Sequence, residues 1–552
     1  MILGQIIKYR FLIFAVLLSF IAVANLTTYG IPPTHDGEYH VLRFQQFYKV
    51  LSEGTLYPRW APDFNNGYGI PLFNYVYPLP NYAASFFHFL GFGFIDSFKL
   101  NMIAATLFGA VFMFFWVRDY FGQWGGLVSS VFYSFSPYHL LDIYVRGSVG
   151  EVWSLAFAPG LLWAYTRYFQ TKKISYYSLS VIFLAFLIFS HNILALVFFV
   201  FFLAYTFFLI SVSKSKKNVF SLNLRNLCLI IALGLGISSI FWLPAIIETG
   251  YVIGLQVFNP AQHFPKLHSL IYSSWGYGFS GKNVTDQMSF QIGLANLAVA
   301  GISLISLFFL KEKKLIIFFL VSLFITVFLI TPFSSFLWKN IPFIAYIQFP
   351  WRFLSLVILI CSFLAGLLIS EKVLKSNTHR MILAIILILF SIILSLNYIK
   401  APFYHPRDDS YYFSRRNFTD GTNSPGNTFN TINFNPSLKK TVSRLSSKNT
   451  KIQIFKNKST TIEAFVEAQK KEKILVNIAY FPGWEVFVNN KKVPINVTAG
   501  GLFEFEVPLG DSKILVELKN TRVRLISVIL TIFSSSLLFG LFVRDKYIKI
   551  KE

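Results

Sequence analysis

The sequence predicts an α-helical polytopic membrane protein with about 12 transmembrane helices and a C-terminal extracytoplasmic β-sandwich domain. Of its 552 residues, 55% are hydrophobic and only 13% are charged, which is more apolar surface than a soluble chain can bury. The apolar residues form blocks of about 20 residues, the length that crosses a hydrocarbon core. Between residues 451 and 520 short alternating runs replace these blocks, and this pattern predicts strands.

The predicted helices and the lysine clusters agree on one topology. With the N-terminus in the cytoplasm, the lysine clusters at helix ends all lie on the cytoplasmic side, as the positive-inside rule requires. We therefore expect a multi-pass plasma-membrane protein with both termini in the cytoplasm. The predicted helices are 11–28, 98–117, 124–141, 152–169, 175–190, 193–211, 226–246, 290–310, 315–331, 352–370, 381–398 and 523–543. The clusters are Lys172-Lys173, Lys214 to Lys217, Lys311 to Lys314 and Lys546 to Lys551.

The formal net charge of +24 does not indicate a nucleic-acid-binding protein. Lysines at the ends of membrane helices arise from topology, and their partners are anionic lipid headgroups. The two cysteines, Cys228 and Cys361, lie inside apolar blocks, so the sequence offers neither a disulfide framework nor a cysteine metal site. The first apolar block lacks a small-residue cleavage site, which predicts an uncleaved signal anchor.

Three regions follow from this organisation. The first extracytoplasmic loop, 29–97, is polar and interrupted by prolines and glycines. Its apolar stretch 72–93 contains Pro78 and Pro80, so we predict interfacial or re-entrant helices there instead of a span. We expect a transmembrane domain over 1–398, an extracytoplasmic β-rich domain over 399–522, and a final helix with a basic cytoplasmic tail over 523–552.

Local signals indicate hairpins in the β-rich domain. Valines flank Asn489-Asn490-Lys491-Lys492, which is a hairpin signature. Phe503 and Phe505 alternate with Glu504 and Glu506, as in a strand with one buried face. These signals predict a small β-sandwich next to the last span.

The first extracytoplasmic loop contains one candidate site. Thr34 follows two prolines, which predicts a helix from Thr34 to about Glu53. Asp36 then lies in the first turn, where the helix dipole favours its ionised form. Asp36, His40 and Arg43 share one helical face, whereas Glu38 joins them only if the helix begins after Gly37. The alternative is that Asp36 is a plain helix cap.

A second cluster consists of Asp142, Arg146 and Glu151 in the short loop 142–151. It is either a local salt bridge or a functional site, since ionisable groups at membrane depth are costly and more often functional. Three single residues remain as candidates. Glu248 follows Phe241-Trp242-Leu243-Pro244 at an outer helix end and is either functional or only interfacial. His191 is either a ligand contact or part of a polar turn, and Arg352 either snorkels to the interface or binds an anionic headgroup.

Asp36-Gly37-Glu38 resembles the modified acidic motif of GT-C fold glycosyltransferases. Those polytopic enzymes use polyprenyl-phosphate-linked sugars, and their second acidic site commonly lies in the next outer loop, as Asp142 and Glu151 do here. The predicted non-spanning helix at 72–93 is similar to the juxtamembrane helices of that fold. The resemblance implies a GT-C-like arrangement of the membrane helices.

The sequence also resembles bacterial YfhO-like membrane proteins and membrane proteins with a 6-pyruvoyl-tetrahydropterin synthase-related domain. No pattern in the chain indicates pterin chemistry. The order of several short motifs along the chain supports this resemblance. They are His35-Asp36-Gly37-Glu38, Asn66-Gly67-Tyr68-Gly69-Ile70-Pro71, Arg146-Gly147 with Glu151, Phe349-Pro350-Trp351-Arg352-Phe353 and Tyr480-Phe481-Pro482-Gly483-Trp484.

These resemblances imply transfer of a sugar from a polyprenyl-phosphate donor to a cell-envelope glycan or polymer acceptor, at an extracytoplasmic active face. The catalytic carboxylates would be Asp36, Glu38 and Glu151, with Asp36 as base; if Asp36 binds a metal, Glu151 becomes the candidate base. Asp36 and Glu38 are the candidate ligands of a divalent cation, Mg or Mn. The predicted substrate-binding residues are His35, His40, Arg43, Asp142, Arg146, His191 and Arg352.

Two other functions fit the same sequence. One is a lipid or polysaccharide transporter, although the ionisable residues cluster on one face and leave mid-membrane positions nearly free of charge. The other is a non-catalytic scaffold for envelope assembly. Convergence of Asp36 and Glu151 in one cavity would favour the enzyme.

Overall fold

The computed structural model describes residues 2–213, 217–254, 259–281, 284–310, 313–414, 427–439 and 443–551. Most of these residues belong to long apolar helices. Within this described part, seven helices are long and apolar enough to cross a membrane, or eight if the bent pair Lys314–Ile330 and Pro332–Asn340 forms one span. Of the predicted lysine clusters Lys214 to Lys217 and Lys311 to Lys314, residues 214–216 and 311–312 lie outside the described residues.

The described residues do not confirm the predicted count of 12 transmembrane helices. Helices form where the shorter spans were expected, but Ile174–Ser190 has 17 residues and Leu294–Ser306 has 13, too few for a typical bilayer. Val149–Thr171 is long enough, but Glu151, Pro159 and several aromatic residues lower its hydropathy. The count of 12 spans therefore stays a prediction.

The helical region has the following elements. The long helices are α1 (Ile2–Val23), α5 (Phe94–Ser134), α7 (Val149–Thr171), α8 (Ile174–Ser190), α9 (Asn192–Val212), α10 (Lys217–Ile247), α12 (Leu294–Ser306), α13 (Lys314–Ile330), α16 (Leu354–Leu368), α17 (Asn377–Ser395) and α19 (Arg522–Lys551). Shorter helices in the connections are α2 (Gly37–Ser52), α3 (Leu72–Tyr75), α4 (Leu79–Phe89), α6 (Pro137–Leu141), α11 (Leu267–Ile271), α14 (Ser335–Asn340), α15 (Pro342–Ala345) and α18 (Asp409–Ser414). The core of the bundle is formed by α5, α7 and α16, and α16 is buried along its whole length.

Helix α5 includes most of two predicted spans, 98–117 and 124–141. Its 41 residues are interrupted at Gly122, where the backbone adopts φ 77° and ψ −177°. Glycine populates this region without steric cost. Gly125 and Gly126 follow directly, and an added Cβ at Gly126 would lie 2.8 Å from the Phe114 carbonyl oxygen. The two halves therefore fold back closely on each other.

The 29–97 loop contains short helices, as predicted. The stretch 72–93 forms α3 and α4 and no spanning helix. Helix α2 begins at Gly37 and not at Thr34, with Asp36 in the N-cap position. The Thr34 hydroxyl still accepts a hydrogen bond from the Gly37 N–H at 3.1 Å, so the expected capping residue acts two positions before the observed N-cap residue. The helix ends at Ser52, just before Gly54 (φ 102°).

The predicted C-terminal β-region forms two antiparallel sheets around one apolar core. In the described residues, one sheet has the order β1-β4-β8-β7 and the other has the order β2-β3-β9-β5-β6. The strands are β1 (Leu445–Ser446), β2 (Ile452–Lys458), β3 (Thr461–Ala468), β4 (Glu472–Val476), β5 (Trp484–Val488), β6 (Lys491–Val493), β7 (Asn496–Val497), β8 (Phe503–Val507) and β9 (Gly510–Leu518).

The predicted hairpin forms between β5 and β6. Val486 pairs with Val493, and Val488 pairs with Lys491. The connecting Asn489 and Asn490 have φ values of 48° and 64°, which are those of a type I′ turn and match the twist of the two strands. The register follows from this turn and buries Val486 and Val488.

The β-sheets pack directly on the 29–97 loop. The Trp60 indole lies edge-on to Trp484, with ring centroids 5.6 Å apart, and the Tyr68 carbonyl accepts the Ala479 N–H at 2.8 Å. Gly69 (φ 76°) allows this approach, because a Cβ there would lie 2.5 Å from the Trp60 Nε1 atom. We refer to the end of the helical bundle that contains this loop and the sheets as the β-domain face.

A buried ion pair joins the membrane helices to the β-sheets at this face. Glu248, at the end of α10, accepts hydrogen bonds from Arg524 Nε at 3.0 Å, Asn74 Nδ2 at 2.9 Å and Thr521 Oγ1 at 2.7 Å. The guanidinium of Arg524 lies 4.7 Å from the centre of the Phe481 ring. Both ions are almost fully buried. One carboxylate therefore fixes α3, the last helix and the sheet relative to one another.

Asp409 caps α5, whose own N-cap residue is Gly93. Its carboxylate accepts the N–H groups of Phe94 at 2.7 Å and Ile95 at 3.1 Å. We expect Asp409→Ala to destabilise the fold by about 0.5–2 kcal/mol, the usual effect of removing a cap, measured as a lower melting temperature in detergent. Asp408→Ala is the comparison variant: among the described residues Asp408 accepts bonds from Ser410 and from the Tyr411 N–H of the six-residue helix α18, so its loss leaves the 41-residue α5 capped. Equal melting of both variants would contradict this role.

Candidate functional site

The two acidic segments predicted from the sequence meet at the β-domain face. The backbone N–H groups of His35 and Asp36 donate to the carbonyl oxygens of Val145 and Arg146 at 3.0 and 2.9 Å. Gly147 (φ 64°) makes this contact possible, since an added Cβ would lie 2.3 Å from the Thr34 hydroxyl. A hydrogen-bonded backbone junction therefore places the Asp36 loop beside the turn that contains Arg146.

Glu151 is the centre of a buried ionic cluster. Arg146 donates two parallel hydrogen bonds to its carboxylate, at 2.7 and 2.8 Å. Arg352 Nε donates to the same group at 3.1 Å, and the Tyr138 hydroxyl donates at 2.9 Å. Glu151 has no exposed surface. Two-point guanidinium–carboxylate pairs are strong and directional, so Glu151 holds both arginines in fixed positions.

The two arginines are enclosed by aromatic rings and a second carboxylate. Arg146 lies 4.7 Å above the ring of Trp351 and forms an ion pair with Asp142. The Arg352 guanidinium lies 5.0 Å from the Phe349 ring. Both side chains are at least 90% buried. Two guanidinium groups and two carboxyl groups share one desolvated volume, in which burial and the nearby Glu151 raise the pKa of Asp142 well above its usual range.

Asp36 differs from these carboxylates because its side chain is available. It is half-buried, and within the described residues its carboxylate accepts no hydrogen bond and forms no ion pair. It interacts electrostatically with His35, Arg43 and Tyr77. A partly solvated carboxylate with unused lone pairs can accept a proton or a hydroxyl hydrogen bond.

Tyr77 connects the two halves of the site and was not predicted from the sequence. Its ring centroid lies 5.0 Å from that of His191. A Cβ added at Gly150, one residue before Glu151, would lie 2.5 Å from the Tyr77 ring. Burial raises the pKa of the Tyr77 hydroxyl, which also feels the charges of Arg43, Asp36 and Glu151. The phenol therefore stays protonated between the two acidic residues.

The other predicted binding residues on α2 lie close to this junction. His40 is 3% exposed and Arg43 is 9% exposed. Burial lowers the pKa of His40 well below its usual range, and the nearby Arg43 and His191 lower it further. Burial also lowers the pKa of His35, whose Nε2–H donates to the Tyr277 carbonyl at 2.8 Å. His35 and His40 are therefore neutral near pH 7.

Glu38 points away from Asp36 and forms an ion pair with Arg407. This geometry follows from the start of α2 at Gly37, which places the two residues on different sides of the helix axis. Within the described residues, no group of three His, Cys, Asp or Glu side chains is placed to hold a metal ion. The divalent cation with Asp36 and Glu38 as ligands therefore stays a prediction.

Two further connections at the β-domain face were not expected to contribute to the site. The segment between α10 and α12 covers His35, with the Phe279 ring 4.3 Å from the imidazole. The segment between α13 and α16 supplies Gln348, whose carboxamide accepts from Arg352 at 2.6 Å. In the topology predicted from the sequence, both segments lie on the same side of the membrane as Asp36. Their aromatic content is the sequence signal that could have identified them.

His191 lies in the turn between α8 and α9 and is buried next to Glu151, at 4.0 Å. Burial lowers the pKa of His191 to about 3. Because this value lies below the value near 6.5 for an unfolded histidine, the unfolded chain binds the proton more tightly. The contribution of His191 is therefore fully present above about pH 6.5 and is lost as the pH falls towards the folded pKa.

We expect the melting temperature in detergent to fall more steeply between pH 7 and pH 5 in the wild type than in His191→Asn. Asparagine retains a side-chain acceptor for the Leu194 N–H, which His191 Nδ1 accepts at 3.3 Å. The difference between the two slopes isolates His191 from the other buried histidines. Parallel slopes would contradict the prediction.

Comparison with known families identifies the membrane region. The model of the family described as "6-pyruvoyl-tetrahydropterin synthase related domain; membrane protein" matches residues 73–399, more than half of the chain. The chain belongs to this family. The model of the bacterial membrane protein YfhO matches residues 420–519, the part that forms the β-sheets. Both resemblances predicted from the motifs are confirmed.

Individual proteins are more distant. An uncharacterized protein of Lactococcus lactis subsp. cremoris (strain MG1363) is 23% identical over 251 residues, 44% of this chain and 41% of its own. The mycobacterial arabinofuranosyltransferase AftD is 15% identical, with 71% of this chain and 27% of AftD covered and a TM-score of 0.46. The oligosaccharyltransferase of Archaeoglobus fulgidus is 13% identical, with 76% and 59% covered and a TM-score of 0.46.

The chain spans less than two thirds of the length of each of these proteins. A TM-score of 0.46 is too low to assign a common fold. The GT-C-like arrangement of the helices therefore stays a prediction, while the multi-span membrane protein with C-terminal antiparallel sheets is established.

Proposed function

We propose that this protein is a membrane glycosyltransferase that moves a sugar from a polyprenyl-phosphate donor to a cell-envelope acceptor. The β-domain face would be extracytoplasmic in the plasma membrane, as the lysine distribution predicts. One observation is the main support. The available carboxylate of Asp36 is fixed by backbone hydrogen bonds next to a buried cluster of arginines.

In this reaction the acceptor hydroxyl oxygen attacks the anomeric carbon of the donor sugar. The new C–O bond forms as the bond to the phosphate oxygen breaks, and the polyprenyl phosphate leaves with the electron pair. The acceptor proton passes to a carboxylate oxygen of Asp36. A positioned base of this kind typically accelerates such a step by about 10²–10⁴-fold.

The charges of the cluster suit this step. Arg43, Arg146 and Arg352 accompany Asp36 and Glu151, whereas burial raises the pKa of Asp142 well above its usual range. Protonation of Asp36 removes one negative charge and makes the group more positive by one unit. That charge appears at the moment when negative charge develops on the leaving phosphate, and in a desolvated site its effect is larger than in water.

Glu151 fits a positioning role better than the role of base. Both of its carboxylate oxygens accept hydrogen bonds from arginines, and it has no exposed surface. A hydroxyl of the acceptor could reach it only if these bonds were broken. Arg146 and Arg352, held by Glu151, would then orient the phosphate of the donor.

The test is transfer by the purified full-length chain in detergent, with labelled polyprenyl-phosphate sugars and extracts of envelope polymers as acceptors. We expect a labelled polymer and free polyprenyl phosphate in equal amounts. Parallel reactions with EDTA and with added Mg²⁺ or Mn²⁺ test the predicted cation, and unchanged turnover in EDTA would remove it from the account. Absence of turnover with every donor and acceptor would favour the transporter or the scaffold.

A further inference from the structure

A cavity lies at α6, the short helix that precedes the ionic cluster in the chain, and its wall is mostly apolar with a few polar side chains. It has a volume of about 210 Å³ and is bounded by the end of α5, by α12 and α17, and by the segment that leads into α12. Pro137 forms part of its wall, and the next residue, Tyr138, donates to Glu151. The cavity and the proposed active site therefore share one short helix.

The chemistry of the wall is neutral and mixed. Its aromatic and apolar side chains include Phe135, Tyr272 and Tyr398, and its polar side chains include Ser136, Gln291 and Ser391. None of the residues that line it is charged. A phosphate or carboxylate would find no counter-ion here, and burying one without a partner is costly. The ligand that fits this wall is uncharged.

Hydrogen-bonding groups without partners further restrict the type of ligand that fits the cavity. Gln291 is 4% exposed, and its Nε2 donor has no partner within the described chain. Ser391 is 3% exposed, and no hydrogen bond to its hydroxyl is present among the same residues. A hydrocarbon chain in the cavity would leave a buried amide donor unsatisfied, at a cost that a hydroxyl-bearing ligand avoids.

The size of the cavity suits one small ring. Sites for drug-sized molecules occupy about 300–1,000 Å³, whereas a water molecule takes up about 30 Å³ of liquid volume. A space of about 210 Å³ therefore holds one ring with its hydroxyl groups. Asn296 gives the polar wall a fixed shape, since its Nδ2 group donates to Ser136 Oγ at 3.1 Å and to the Ile292 carbonyl at 2.8 Å.

We infer that this cavity binds one neutral monosaccharide unit, with Gln291 and Ser391 as hydrogen-bonding partners and the aromatic wall against the ring. The inference rests on the proposed transferase function, for which it supplies a sugar subsite next to the reacting groups. The position of Gln291 supports this link. Its neighbour Phe290 contacts Trp351, with ring centroids 6.3 Å apart, and Trp351 lies under Arg146.

The first test measures binding of neutral methyl pyranosides to the full chain in nanodiscs by saturation-transfer NMR. The panel contains the glucose, galactose, mannose and N-acetylglucosamine derivatives. We expect at least one to bind the wild type and to bind Gln291→Leu about tenfold more weakly, the effect of one lost hydrogen bond of ordinary strength. Ser391→Leu, which fills the cavity from α17, is expected to reduce binding at least as much.

Ser303→Ala is the matched control. Ser303 lies on α12, is fully buried, has an unpartnered hydroxyl and does not line the cavity. It should bind the sugar as the wild type does. Absence of binding by the wild type would overturn the inference. Binding by Gln291→Leu and Ser391→Leu that is as tight as that of the wild type would also overturn it. A third outcome would also overturn the inference: Ser391→Leu loses affinity for sugar-free polyprenyl phosphate, whereas Gln291→Leu keeps it. The cavity would then hold an apolar chain and not a sugar.

Transfer kinetics separate the two sources of the sugar. If the unit belongs to the acceptor, Gln291→Leu raises the KM for the acceptor and leaves the KM for the donor unchanged; if it belongs to the donor, the reverse holds. Sugar binding that depends on Gln291 in a protein without transferase activity would retain the cavity and reject the proposed function. Transfer with both KM values unchanged in Gln291→Leu would retain the function and reject the cavity.

Discussion

Glu151→Ala is expected to destabilise the protein by about 3–5 kcal/mol, because it leaves Arg146 and Arg352 buried without their shared anion. The wild-type carboxylate accepts hydrogen bonds from both guanidinium groups and from Tyr138. After truncation, two positive charges would face each other in a desolvated volume next to Trp351. The measurement is the melting temperature of the purified variant in detergent, together with the yield of monodisperse protein.

Glu371→Ala provides the matched control for loss of a glutamate ion pair. The Glu371 side chain is 78% exposed and pairs with Arg380 at 2.9 Å. Exposed pairs of this kind contribute about 0–1 kcal/mol, so this variant should melt close to the wild type. A Glu151→Ala variant that melts like Glu371→Ala would contradict the structural role of the cluster.

Glu151→Gln distinguishes positioning from proton transfer. Glutamine keeps the shape of the side chain and one acceptor oxygen for the arginines but cannot take up a proton. If Glu151 only positions Arg146 and Arg352, the variant loses stability and raises the KM for the donor, and Glu151→Asp recovers part of both. Normal melting with complete loss of kcat would instead make Glu151 the base.

The sequence predicts local features of this fold well, because their causes are local. The Asn489-Asn490 turn occurs where expected, since asparagine tolerates positive φ and the flanking valines alternate. The short helices of 72–93 follow from Pro78 and Pro80. The exact number of spans is not confirmed, because block length does not show whether a helix such as α12 ends at 13 residues.

Contacts between distant segments could not be derived in the same way. Arg352 meets Glu151 across 201 positions, and Arg524 meets Glu248 across 276 positions. Arg352, Glu151 and Glu248 were candidates in the sequence, but the partner of each was not identified. Whether a buried arginine faces a lipid phosphate or a glutamate depends on how helices pack, and a single sequence contains no direct signal for that choice.

Only part of the site was predicted, because its contacts also join segments that are distant in the sequence. Asp36 and Arg146 were candidates from two separate clusters of the sequence, and a backbone hydrogen bond joins them in the structure. Glu38 was grouped with Asp36 on sequence proximity, whereas a helix that begins at Gly37 directs it towards Arg407. Tyr77 was overlooked because nothing in the sequence distinguishes it from the neighbouring Tyr75 and Tyr82.

The second large effect is expected from Asp36→Asn, which should lower transfer by about 10²–10⁴-fold, the usual contribution of a general base. Asparagine has nearly the shape of aspartate and preserves the backbone hydrogen bonds to Arg146. Because the Asp36 carboxylate accepts no hydrogen bond in the described chain, its loss should change stability little. The expected signature is a reduced kcat with an unchanged melting temperature.

Asp96→Asn is the matched control. Asp96 lies at the same end of the bundle, in the first turn of α5, and its side chain is 55% exposed and paired with Lys99. Neutralising it changes the net charge of the protein by the same amount without touching the site. Its transfer rate should stay close to that of the wild type.

The most direct test of the central claim is the single-turnover rate of sugar transfer from a labelled polyprenyl-phosphate donor by the wild type, Asp36→Asn and Asp96→Asn at equal folded concentration. The account predicts transfer by the wild type and Asp96→Asn, and a rate at least 100-fold lower for Asp36→Asn, as expected for loss of a base. Transfer by Asp36→Asn at the wild-type rate would contradict it.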